Sequence, residues 1–380
     1  MKRYLRYLAL VSVFALVLAA CGDDAGGDTT TTAGEEPTTT AAEEPTTTAA
    51  EATTTTGGEE PAGEGVLACQ VSDTGGIDDK SFNQTAWQGV LNAVEDGVAT
   101  EDSQFLESQA PTDYAPNIQS FIDEGCGLII AAGFLLAADI TAAAEANPDQ
   151  LFQIIDAPSE LDNLQGAVFG TTDAAFLAGY LAAGVTQTGV VATYGGIQIP
   201  CGVTCFMDGF VYGVRYYNQE NGTDVQTLGW NPEDQTGSFT GDFENADLGR
   251  NLTASFVDES ADVILPVAGP VGVGSAALAQ ELGNVWVIGV DADWFQTLPE
   301  YSDVVLTSVL KGLDVAASSA IQAVADGAFE GGTREYTIAE DGVGLGPINE
   351  AVDAELAAEI ETIRAGLVDG SIVAADMASG

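Results

Sequence analysis

From Val66 onward, short apolar runs alternate with alanine-rich stretches of helical length, and this alternation limits the fold more than any other feature. The runs read as strands at Val66–Ser72, Gln104–Ser108, Leu128–Ala132, Phe152–Ile155, Gly166–Gly170, Val190–Tyr194, Val225–Leu228, Val263–Val267, Val285–Val290 and Val304–Ser308. Between them, helical stretches fall at Ser81–Val94, Ala115–Glu124, Leu135–Ala146, Ala174–Val185, Phe206–Asn218, Gly249–Asp258, Gly272–Glu281 and Asp314–Ala325. Continuous apolar strands separated by helices are the mark of parallel sheets buried on both faces. The body is long enough for two such sheets, so two lobes are expected rather than one very wide sheet.

The first strand runs through the glycine turn DTGGIDDK (Asp73–Lys80) directly into a helix for which Ser81 suits the N-cap. A strand's carboxyl end followed by a helix amino terminus is where open α/β sheets bind small ligands. Phe82 and Asn83 in the first turn would project beside Asp73, giving a ring, an amide and a carboxylate suited to a flat, polar, hydroxylated molecule. No GxxxxGK[ST] pattern is present, and Asp78-Asp79 would repel phosphate. Other strand ends supply Gly133-Phe134, Asp156, Gly269, Asp291 and Lys311. Lys311 is conspicuous in a body with six basic side chains against 47 acidic ones.

That balance, a net charge of −41 from Val66 onward, excludes nucleic acid as a partner and argues against adhesion to anionic lipid by charge. It reads as a solubility adaptation. The chain contains no histidine, which removes Ser-His-Asp and Cys-His nucleophiles and the usual zinc sites. An enzyme is therefore disfavoured, and neither a metal nor a cofactor is expected.

At the amino terminus, Lys2, Arg3 and Arg6 precede the apolar stretch Leu8–Leu18, which is too short for a settled membrane span. Leu18-Ala19-Ala20-Cys21 resembles the lipobox of bacterial lipoproteins, implying export, acylation of Cys21 and removal of residues 1–20. The expected location is the extracytoplasmic face of the cell membrane, held through lipid alone. Residues 21–65 read as a lipidated, disordered Thr/Glu/Pro tether, whose 44 residues after Cys21 would reach roughly 36 Å. Of the other cysteines, Cys201 and Cys205 bracket a glycine turn and suit a local disulfide. Cys69 and Cys126 form a plausible second pair, since their strands should be neighbours, although spacing leaves the connectivity open.

In order, the segments SDTGGIDDKSFNQTAWQGV, IIAAGFLLAADI, FGTTDAAFLAGYLAAGV, YGGIQIP followed by FMDGFVYGV, VAGPVGVG, WVIGVDADW and LTSVLKGLD resemble the basic membrane protein family. These are purine-nucleoside-receptor-like lipoproteins that serve as solute-binding subunits of ABC transporters. The resemblance spans Val66 to about Gly331. It implies a type I periplasmic-binding-protein fold, two Rossmann-like α/β lobes with a ligand cleft between them. Residues 66–170 plus about 293–330 would form the N-terminal lobe, and about 171–292 plus 331–380 the C-terminal lobe. The chain would then cross near Thr171, Asp291–Trp294 and Gly331.

The resemblance also assigns roles. Asp73 and Asn83 would bond the purine edge, Phe82 and Phe206 would sandwich the base, and Asp291 and Lys311 would read the ribose hydroxyls near the Gly269 backbone. Asp156 would be a further lining residue. The implied partners are a nucleoside and the permease of an importer. A surface adhesin or antigen, or a receptor for another polar solute such as a sugar, are the alternatives. Trp294, the Cys201/Cys205 segment and the acidic loop Trp230–Asp247 depart from the family pattern, each beside the expected cleft.

Overall fold

The computed structural model describes residues 65–378. The signal segment, Cys21 and the spacer as far as residue 64 lie outside these. Among the described residues no helix is long and apolar enough to cross a membrane.

The chain opens with β1 (Ala68–Ser72), α1 (Phe82–Glu95), β2 (Gln104–Leu106), α2 (Tyr114–Glu124), β3 (Leu128–Ala132), α3 (Ala137–Ala146), β4 (Phe152–Ile155) and β5 (Leu164–Phe169). It continues with α4 (Thr171–Val185), β6 (Val190–Gly195), α5 (Thr204–Asn221), β7 (Gln226–Leu228), the ribbon strands β8 (Trp230–Asn231) and β9 (Thr236–Gly237), α6 (Ala246–Asp258), β10 (Val263–Val267), α7 (Gly272–Leu282) and β11 (Trp286–Asp291). The remaining elements are α8 (Trp294–Thr297), β12 (Val305–Lys311), α9 (Leu313–Ala325), β13 (Gly332–Tyr336), β14 (Val343–Leu345) and α10 (Ala354–Asp369).

Two six-stranded sheets result, ordered β13-β5-β4-β3-β1-β2 and β14-β12-β11-β10-β6-β7. All pairings in the first are parallel, and in the second only β14 runs antiparallel, against β12. The central strands β1, β3, β4 and β10 are buried along their whole length, so their sequences are largely apolar, with only Gln70, Ser72 and Gln153 as buried polar side chains. Tyr114, Ile118, Phe121 and Ile140 of α2 and α3 seal one face of the first sheet, and α1 packs with α9 on the other. In the second lobe α6 and α7 cover one face of the sheet. On its other face α4 and α5 cross backbone to backbone. A Cβ at Gly213 would stand 2.0 Å from the Phe176 carbonyl oxygen, so only glycine permits that crossing.

Cys69 on β1 is bonded to Cys126, two residues before β3, and Cys201 is bonded to Cys205. The first bridge follows from the parallel pairing of Cys69 with Ile129, which brings the start of β3 alongside β1.

The lobes are joined by three crossings, at Gly170 after β5, at Gly312 after β12 and at Thr337 after β13. Backbone bonds Gly170 N–H to Tyr336 O (2.9 Å), Gly312 N–H to Gly342 O (2.9 Å) and Gly342 N–H to Thr337 O (2.8 Å) lace them together. Two expected boundaries are corrected. β12 belongs to the second sheet between β11 and β14, so residues 293–311 are C-terminal-lobe residues and the second crossing is at Gly312, not at Asp291–Trp294. β13 pairs with β5 in the first sheet, so residues 332–336 are N-terminal-lobe residues and the third crossing is at Thr337, not Gly331.

Candidate functional site

Strand order turns back between β1 and β3 in the first sheet and between β6 and β10 in the second. A parallel sheet leaves a crevice outside the carboxyl ends of such strands, because the loops on either side depart in opposite directions. Here the two crevices face one another across a pocket that opens to solvent at its mouth.

Asp73 leaves β1 with its N–H on the Ala132 carbonyl (3.2 Å). Its Oδ2 fills the place where a Cβ of Gly133 would be, at 2.2 Å, and Gly133 has φ +118°, so glycine is required there on two counts. Asn83 Nδ2 donates to Asp73 Oδ1 (3.0 Å), while the buried Asn83 Oδ1 has no donor. Burial pushes the Asp73 carboxyl up to about 8, with Asp79 and Asp156 adding to the Asn83-opposed rise.

The expected N-cap is corrected. Ser81 occupies the cap position but its side chain makes no cap bond. Asp79 caps instead, its carboxylate accepting from the N–H groups of Ser81 (3.0 Å), Asn83 (2.8 Å) and Gln84 (3.0 Å). The Ser81 hydroxyl is thereby free and donates across the lobes to Asp291 Oδ2 (2.8 Å). Asp291, with φ +67°, is buried, and burial lifts its carboxyl to about 6 against the opposing effects of Lys311 and the Ser81 bond.

Lys311 makes its own contacts inside the protein. Its ammonium bonds Asp156 Oδ2 at 2.6 Å and lies 5.0 Å from the ring centres of Phe82 and Phe169 and 5.6 Å from that of Phe206. The side chain is 1% exposed. Asp156 holds the cation beside these three rings. Burial raises the Asp156 carboxyl, with Lys311 acting against that rise.

Asp73, Phe82, Asn83, Asp156, Phe206, Gly269 and Asp291 all line the crevice. They share it with Phe134, already named at a strand end, and with Ile199, Val203, Phe243 and Pro270, which were not among the expected site residues. Phe243 comes from the acidic loop, which is stitched across the end of β6 by Gly195 N–H to Ser238 O (3.0 Å) and Gly241 N–H to Gly196 O (2.9 Å). Its aromatic character among acids was the one signal that could have revealed it. Trp294, expected beside the cleft, is buried in the second lobe's core against Gly289 and Gly272.

The cleft is thus aromatic-walled and rich in carboxylates, with one ammonium nearby. It can accept hydrogen bonds from a neutral, donor-bearing molecule, and it repels phosphate. A pH test follows. A carboxyl at about 8 in the fold and 3.8 as its ordinary value binds a proton more tightly when folded. Its stabilising contribution is full below pH 3.8 and is lost as pH rises through about 8. Asp79, Asp156 and Asp291 shift the same way, so the difference between wild type and Asp73→Asn isolates one group. Thermal melts from pH 4 to 9 are expected to show Asp73→Asn gaining on the wild type across that window. Parallel profiles would count against the buried carboxyl.

Residues 67–372 match the family described as ABC transporter substrate-binding protein PnrA-like. The chain is 31% identical to a CD4+ T-cell-stimulating antigen of Listeria innocua, over 83% of this chain and 89% of that protein. It is 30% identical to the ABC transporter nucleoside-binding protein BmpA of Lactococcus lactis subsp. cremoris, over 80% and 88% respectively. Among solved structures, a solute-binding protein of an ABC transporter system from Aeropyrum pernix K1 is similar with a TM-score of 0.71 and 25% identity, covering 81% of this chain and 92% of that one.

Proposed function

This chain belongs to the Bmp family of PnrA-like ABC transporter substrate-binding proteins, and from that premise we propose that it captures nucleosides, purine nucleosides preferentially, and delivers them to a membrane permease. The family is one of solute-binding proteins, not of enzymes, with a small-molecule ligand and permease partners. In this reading the mature protein is lipid-anchored through Cys21 on the extracytoplasmic face.

The observation that carries the nucleoside reading is the pairing of aromatic walls with a buried acceptor that lacks a donor. Asn83 Oδ1 is buried without a donor, and Asp73 holds a carboxyl lifted to about 8 beside it. A purine edge bearing N–H groups would supply the missing donor and favour the ionised carboxylate. Phe82, Phe134, Phe206 and Phe243 offer faces and edges to a planar base. Asp291 suits ribose, since a carboxylate accepts from hydroxyls. The name BmpA of Lactococcus lactis, a nucleoside-binding protein, points the same way.

Calorimetry against inosine, guanosine, adenosine, uridine, ribose and GMP tests this. Purine nucleosides are expected to bind most tightly and GMP not at all. Phe82→Ala or Phe206→Ala should weaken inosine and hypoxanthine alike, by roughly 1–3 kcal/mol for a lost stacking face. Binding of ribose above inosine would overturn the nucleoside reading and leave a receptor for a sugar.

A further inference from the structure

We propose that Ser81 is a positioning residue for solute recognition: its hydroxyl crosses from the N-terminal lobe to hold one oxygen of the Asp291 carboxylate, so that Asp291 meets the solute with its other oxygen. The proposal rests on the reading of Asp291 as the group that faces the sugar.

A serine hydroxyl has one proton to donate. The Ser81 hydroxyl lies 2.8 Å from Asp291 Oδ2 and 3.5 Å from the Val290 carbonyl, so the carboxylate takes the proton. Serine at a helix start would ordinarily turn back to cap its own helix. Asp79 has taken the Asn83 and Gln84 N–H groups that a Ser81 cap would have bonded, leaving the serine hydroxyl free to serve the other lobe. Ser81 and Asp291 are 2% and 8% exposed, so water competes poorly for this bond.

Asp291 stands at the end of β11 in the left-handed region, φ +67°, where the backbone sets the direction of its short side chain. The charged groups acting on it are Lys311, Asp156 and Asp79, of which only Lys311 favours the ionised form. Ser81 adds a directed donor to that diffuse attraction. Because the partners come from different lobes, the bond exists only with the lobes together. The carboxylate therefore gains its fixed orientation when the cleft narrows, at the moment the solute is enclosed.

The test uses the full chain and inosine, 2′-deoxyinosine, 3′-deoxyinosine and hypoxanthine as probes. Ser81→Ala is expected to weaken inosine about tenfold, the typical effect of one hydrogen bond to a charged group, with hypoxanthine little changed. Ser81→Thr, which keeps the hydroxyl, should restore binding. In Asp291→Ala the Ser81 substitution should have no further effect, and one deoxyinosine should be hurt by Asp291→Ala much less than the other.

A second readout needs no ligand. The ¹³C titration of the Asp291 carboxyl should move to higher pH in Ser81→Ala and stay in place in Ser81→Thr. Equal loss of inosine and hypoxanthine, additive losses in the double variant, or an unmoved titration would overturn the proposal. If the wild type binds none of the probes, the nucleoside reading fails, and the Asp291 titration alone then decides the role of Ser81.

Discussion

Replacing Lys311 with methionine is expected to destabilise the protein by about 3–5 kcal/mol, the scale of a buried ion pair that loses one partner. Methionine keeps the length and apolar stem of lysine, so the aromatic packing against Phe82, Phe169 and Phe206 survives while the charge is lost. Asp156, whose side chain is 11% exposed and bonded to Lys311 at 2.6 Å, would be left as a buried carboxylate without its cation. Asp291 would lose the same attraction.

The pair also spans the lobes, Lys311 ending β12 and Asp156 following β4, so the loss should be felt as weaker cohesion between them. Urea unfolding at pH 7.5 measures it. Adding Asp156→Asn to Lys311→Met should recover part of the loss, because no unpaired buried charge remains. A single variant as stable as the wild type, or a double variant no better than the single, would sink this account.

Asp291→Ala is expected to weaken ribonucleosides by roughly 1.5–3 kcal/mol, as for hydrogen bonds that involve a charge. A 2′,3′-dideoxynucleoside or a free base should lose much less, since neither carries the hydroxyls that Asp291 would read. The position has φ +67°, which aspartate and asparagine tolerate better than alanine, so Asp291→Asn serves as the check on folding. Calorimetry showing equal losses for ribo- and dideoxy-ligands would remove the ribose assignment.

Most of the architecture was legible in the chain. β1, β3, β4 and β10 are buried on both faces, so their sequences had to be mostly apolar, and the reading placed β3, β4 and β10 residue for residue. The family resemblance rested on the same segments, and it gathered most of the lining residues because they sit at strand ends, where composition changes abruptly from apolar to polar. β13 and β14 were not legible. GTREY is a mostly exposed edge strand whose polar side chains leave no alternation, and VGL is too short to carry a pattern.

What the sequence determined by itself was a two-lobed parallel α/β body, a histidine-free chain without the usual nucleophile pairs, and a strongly acidic surface unsuited to nucleic acid. These follow from composition and from the period of hydrophobicity, which are local quantities. Tertiary structure alone decided which partner each polar group chose. Asp79 and Ser81 were both fit to cap α1, and only the presence of Asp291 across the cleft, 210 residues away, assigned the hydroxyl elsewhere. Lys311 stood at a strand end like a ligand reader, yet Asp156, 155 residues distant, claimed its ammonium. A buried charge takes the nearest opposite charge, and in a chain that crosses three times between two lobes, nearness is set by how the sheets face each other.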